Sequence, residues 1–96
     1  MRQRWAHYRA LRAVSDERNR QEELKKAGRF EHTCADPEAT DPYRLGVLVE
    51  EVGEVAKAIN EGDAPGLKAE LAQVAAVAVA WLESIEMKEE QCLRSA

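Results

Sequence analysis

The residues best suited to chemistry are acids on two helix-forming stretches. Glu51 and Glu54 lie three residues apart, and Glu70 and Gln73 repeat that spacing further along the chain. Side chains at i and i+3 project from one helix face, so two antiparallel helices would bring the two pairs together. Mg²⁺ takes oxygen ligands and is held by one or two carboxylates together with water and substrate phosphates. Converging acidic pairs in a helical bundle therefore predict a Mg²⁺ site, with Mn²⁺ as an alternative ion. Such a cation would also explain how like charges are tolerated. At an effective dielectric of about 20, two unit charges roughly 4 Å apart repel by about 4 kcal/mol, which a divalent ion would offset. Spacing alone does not decide the matter, because paired acids at i and i+3 also occur on solvated helix faces.

Three helices must position these residues. The first is expected over 2–27, with Trp5, Tyr8, Leu11 and Arg12 on neighbouring turns; residues 15–23 contain no aliphatic or aromatic side chain, so its second half should be exposed, bent or frayed. Gly28 stops it, and the polar connection over 28–41, interrupted by Pro37, is the segment expected to be mobile. Asp41-Pro42 restarts helix, with Asp as a cap and proline in the first turn, and helix two should run over 42–61 with Gly62 as its left-handed stop. Its stripe of Leu45, Leu48, Val49, Val52, Ala56 and Ile59 is expected to pack inward, while Val47, Glu51, Glu54, Val55 and Ala58 occupy an adjoining face.

Helix three is expected over 65–90, capped by Asp63 or Ala64. Between Leu71 and Leu82 it is apolar on every side except at Gln73, and a helix apolar all round is buried all round. Two further helices cannot surround it, so its remaining surface should meet another subunit. No stretch shows two-residue alternation or hairpin turn chemistry, and the fold class is all-α.

Composition sets the outer limits. The 96 residues form one small domain, with 33% of residues charged and 45% hydrophobic, enough apolar material to fold but little core to spare without a partner subunit. Residues 1–30 carry a balance of +5 and residues 31–96 a balance of −9. That asymmetry suits either an arm that meets phosphates or a neighbouring acidic subunit, or simply a solvated helix face. Nucleic-acid binding is disfavoured, because the whole chain is acidic and no nucleic-acid-reading motif accompanies the basic residues. No apolar run spans a bilayer and no signal-peptide core follows Met1, so the expected location is cytoplasmic, with no membrane partner. Cys34 and Cys92 are expected as free thiols. His32 beside Cys34 and Asp36 reads as a polar loop, and Trp5, Tyr8 and Trp81 as core or interface.

The segment Leu48-Val-Glu-Glu-Val-Gly-Glu-Val-Ala-Lys-Ala-Ile59 resembles the first motif of the MazG-like nucleoside triphosphate pyrophosphohydrolases: two adjacent Glu, two spacers and a third Glu. Glu70-Leu-Ala-Gln73 follows at the separation of the second motif, which in the family usually ends in Asp. The stretches Glu17-Arg-Asn-Arg-Gln21 and Lys25 to Phe30 are similar to the lead-in of short phage-type members, so the resemblance spans roughly residues 17–86.

That resemblance implies a single helical-bundle domain over 1–96, completed by assembly as a homodimer or a dimer of dimers. It also implies Mg²⁺-dependent hydrolysis of an NTP or dNTP to the monophosphate and pyrophosphate. Position by position, Glu51, Glu54 and Glu70 match metal-ligand positions, Glu50 matches the additional acidic position, and Gln73 stands where the Asp would be. Glu50 or Glu54 would orient the attacking water; Lys57, or an arginine of helix one, would contact phosphate. A glutamine offers a carbonyl oxygen but neither negative charge nor a base. The competing reading is therefore a catalytically silent MazG-like module that binds a nucleotide or only oligomerises, and a helical adaptor is a third class.

Overall fold

A computed structural model describes residues 2–29 and 32–95. They form α1 (Arg2–Lys26), α2 (Asp41–Asn60) and α3 (Ala64–Ser95), with no strand among the described residues. Local chemistry sets the ends. Thr40, not Asp41, caps α2: its Oγ1 accepts the Tyr43 N–H at 3.2 Å, which places Asp41 in the first turn with Pro42 behind it. Gly62, at φ +67°, takes the left-handed position after α2, and Asp63 Oδ1 then caps α3 by accepting the Gly66 N–H at 2.9 Å. Past Glu90 nothing in Gln91 to Arg94 breaks a helix, and an Arg94–Glu90 pair at 2.7 Å supports the last turns, so α3 continues to Ser95.

α3 is the central element. At 32 residues it is about 48 Å long, against a longest molecular dimension of 50 Å. It packs against α2 and against α1, which do not pack on each other. α2 and α3 are antiparallel, as expected: Asp41 meets Trp81 at one end, and Glu51 and Glu70 interact further along. α1 runs in the same direction as α3, since its residues 5–14 line a groove with 64–72 while Arg18 reaches Glu83.

Three sequence-based expectations are corrected by this packing. First, the apolar stripe of α2 faces inward only at Leu48, which packs against the core cluster. Leu45, Val49, Val52 and Ile59 are each more than half exposed, and the side turned to α3 is the adjoining one, carrying Val47, Glu51 and Ala58. The reason is one of supply: a single chain has one helix to cover α2, and buried Arg44 fixes which side that is. Second, the connection is not loose. Thr33, Cys34 and Ala35 are buried, and Cys34 and Ala35 form the core cluster with Val77 and Ala80 of α3, flanked by Val47 and Leu48. A loop thus fills the space a fourth element would take.

Third, the polar half of α1 is the half that is anchored. Arg18, 7% exposed, donates from Nε to Glu83 at 2.6 Å and lies 2.7 Å from Glu22, whereas Trp5, Tyr8 and Leu11 are exposed. Periodicity of apolar residues missed this because the α1–α3 contact there is ionic. As expected of a helix that two others cannot surround, α3 is covered within the chain at Ala76, Val77, Ala80 and Ser84, while Leu71, Leu82 and Ile85 remain exposed. The Lys25 to Phe30 lead-in is described only as far as Arg29; Phe30 and Glu31 lie outside the described residues.

Candidate metal centre and nucleotide pocket

Arg44 organises the floor of the site. It is 1% exposed; Nε donates to the Cys34 carbonyl at 2.8 Å, Nη2 to the Asp36 carbonyl at 2.7 Å, and Nη1 to Asp41 Oδ1 at 3.0 Å. Asp41 also accepts from Trp81 Nε1 at 3.1 Å, so one carboxylate ties the start of α2 to α3. Lys25 Nζ pairs with Asp36 at 2.7 Å and Thr33 Oγ1 donates to Glu22 at 2.9 Å, which fastens the same loop to α1. The Lys25 hydrogen bond holds the Asp36 carboxyl below its ordinary range. Burial pushes the Cys34 thiol up, so this cysteine is a packing residue rather than a nucleophile.

This loop, α1, α2 and α3 enclose a pocket of about 220 Å³ lined by Glu17, Arg20, His32, Tyr43, Glu51 and Gln73, among others. A larger groove of about 610 Å³ lies between the first turns of α1 and α3, but Trp5, Ala10, Val14 and Leu67 make it mainly apolar and no acid lines it. The smaller pocket is therefore the one with chemical means. Its aromatic side is an edge-on pair, His32 on Tyr43, with centroids 6.4 Å apart; His32 Nδ1 lies 3.4 Å from Asp36, which orients the ring.

Of the acids expected to converge, the structure brings Glu51 and Glu70 together. Both are half-buried, and Oε2 of each is buried without a hydrogen-bond partner. Burial pushes the Glu51 carboxyl above its ordinary range, and the charges of Glu70, Glu50 and Glu54 push the same way. An unpartnered pair of buried carboxylate oxygens is costly, and oxygen donors of this kind fit a hard divalent cation.

The other expected residues lie differently. Glu50 and Glu54 are exposed. Gln73 is half-buried and shares the pocket with Glu51, in the place expected of it. Lys57 is exposed and does not line the pocket. Among the described residues no three His, Cys, Asp or Glu side chains gather closely enough to hold a metal by themselves. The pair thus matches the sparse protein ligation that Mg²⁺ accepts when phosphates and water complete its shell.

Sequence reasoning missed Arg44, Asp41 and Arg18 as the residues that hold the site, and gave Glu17 and Arg20 no individual role. Two signals were available. An arginine three residues after Asp41, on the same side as Val47 and Glu51, is an anomaly for a helix face packed on its neighbour. Arg18 four residues before Glu22 is an ion-pair spacing in a stretch with no apolar reason to be helical.

An antiparallel α2–α3 pair with α1 along α3, carrying two facing carboxylates of which Glu51 lines a pocket, defines an all-α, acid-bearing helical domain. The sequence profile of the MazG nucleotide pyrophosphohydrolase domain matches residues 42–93 of the 96-residue chain, and the chain belongs to that family. Neither a curated protein nor a solved structure matches the chain significantly. The match covers α2 and almost all of α3, the two helices that carry Glu51 and Glu70.

Proposed function

We propose that the protein hydrolyses a nucleoside triphosphate to the monophosphate and pyrophosphate with a divalent cation, Mg²⁺ or Mn²⁺, held by Glu51 and Glu70. The observation that carries this reading is the pair of buried, unpartnered carboxylate oxygens on facing helices, beside a pocket that opens to solvent. Gln73 would add a neutral amide oxygen, and Glu54, one turn from Glu51, would add a further carboxylate to the set that could hold the cation. When bound, the cation neutralises charge on the phosphate oxygens and on the leaving pyrophosphate.

The chain's own residues do the rest. Exposed Glu50 and Glu54 are free to accept a proton from a water molecule and aim it at the α-phosphorus, where the bond to the bridging oxygen breaks. Tyr43 and His32 present an aromatic edge and face to a base. Lys57 is assigned to a contact with a substrate phosphate at the solvent side, outside the pocket. The uncovered apolar side of α2 is assigned to a homodimer or dimer-of-dimers contact, in a protein that works in the cytoplasm.

Incubating the protein with each common NTP and dNTP, with Mg²⁺ or with a chelator, and assaying pyrophosphate tests the reading. Metal-dependent release of pyrophosphate together with the monophosphate supports it. Nucleotide binding without release for any substrate would favour the silent module, for which Gln73 in place of Asp is the specific motive.

A further inference from the structure

We infer that Arg20 is the residue that receives the polyphosphate chain in the pocket, and that Glu17 holds it in reserve until the chain arrives. The inference rests on the nucleotide reading above and adds to it the identity of a phosphate-binding side chain on α1. Among the residues lining the pocket, Arg20 is the one Lys or Arg. It stands among acids: Glu17 and Glu51 line the same space, and Arg20 is near enough to Glu51 for the two charges to interact. A triphosphate entering there meets like charge unless cations compensate it, and the chain itself offers one.

The geometry of that cation suits the task. Nε donates to Glu17 Oε1 at 2.8 Å and Nη2 to Glu17 Oε2 at 2.9 Å, a two-pronged pair. The same fork fits two oxygens of a phosphate, so exchange of partners needs no new donor geometry. Exposure divides the pair in the required way. The Glu17 side chain is 13% exposed and the Arg20 side chain 53%, so the acid is fixed and the guanidinium is reachable. The pair lies within one helix at i, i+3, so Arg20 can turn from Glu17 to phosphate without disturbing the packing between helices. Lys57 has the charge but not the position.

Calorimetric titration with inorganic tripolyphosphate in the presence of Mg²⁺ tests the assignment, with helix content checked by circular dichroism. Arg20→Ala should raise the Kd at least tenfold, and Arg20→Lys, which keeps the charge but not the fork, should fall between. Glu17→Gln should lower the Kd, because the competing carboxylate charge is gone. The double variant should bind as weakly as Arg20→Ala. An unchanged Kd for Arg20→Ala, or no binding of tripolyphosphate by the parent, overturns the inference. So does recovery of parental affinity in the double variant, which would mean that Arg20 only neutralises Glu17. Arg20-dependent binding without pyrophosphate release from any nucleotide would leave this inference standing and remove the hydrolase reading.

Discussion

Replacing Glu51 by Gln should stabilise the metal-free protein, which is the reverse of what removing a half-buried polar group usually does. Glu51 and Glu70 each keep a buried Oε2 without a partner. Two carboxylates in close approach repel by about 3 to 4 kcal/mol at an effective dielectric near 20. The full sum is not realised, because solvent reaches part of the pair; a net gain of about 1 to 2 kcal/mol for Glu51→Gln at neutral pH is expected. In a domain of this size that is a rise in Tm of roughly 4 to 16 °C. The pH dependence has a fixed sign. Folding raises the Glu51 pKa, through burial first and the charge of Glu70 second. Its contribution to stability is therefore fully present below the ordinary glutamate pKa and is lost as pH rises through the folded value. Glu51→Gln cannot titrate, so its advantage over the parent should open in that window and close at lower pH. Thermal denaturation of both proteins in chelator from pH 4 to 8 reads this out. Equal Tm values at pH 7, or a difference that persists unchanged at pH 4, would refute the argument that the two carboxylates strain each other.

Three further outcomes follow from the packing. Arg44→Met should cost about 3 kcal/mol in chemical denaturation, because it orphans the Cys34 and Asp36 carbonyls in one step. Gln73→Asp should tighten Mn²⁺ binding by about tenfold in a calorimetric titration and, in chelator, lower the Tm, since it adds a third anion beside the Glu51–Glu70 pair. Val49→Lys with Val52→Lys should leave helix content intact while abolishing self-association by light scattering, because both side chains are more than half exposed in the single chain and charge there disrupts only a contact between copies.

Periodicity and cap chemistry made the helices legible: all three appear, with Gly28 and Gly62 at the stops, because those signals are local. Which side of α2 turns inward was not legible from them. The stripe of Leu45, Val49, Val52 and Ile59 is the most apolar one, yet burial in one chain goes to the face with Glu51 and Arg44. A hydrophobic stripe marks a surface that must be covered without saying whether the cover comes from the same chain. The site divides in the same way. Spacing and the family motif identify Glu51 and Glu70, whereas the residues that hold them in place act at long range: Arg18 on Glu83 and Trp81 on Asp41 join positions 65 and 40 residues apart. Nor could the polar connection reveal its burial, since its three buried residues, Thr33 to Ala35, are small and carry no periodic signal.

The central claim is that Glu51 and Glu70 form a divalent-metal centre although Gln73 supplies no charge. Mn²⁺ titration followed by electron paramagnetic resonance, with and without a nucleoside triphosphate, measures this most directly on the parent, Glu51→Gln and Glu70→Gln. The parent should remove free Mn²⁺ from solution, more strongly with nucleotide, and each variant should lose at least tenfold in affinity. A parent that leaves the free Mn²⁺ signal unchanged at millimolar ion, with nucleotide present or absent, or variants that bind as the parent does, would contradict it.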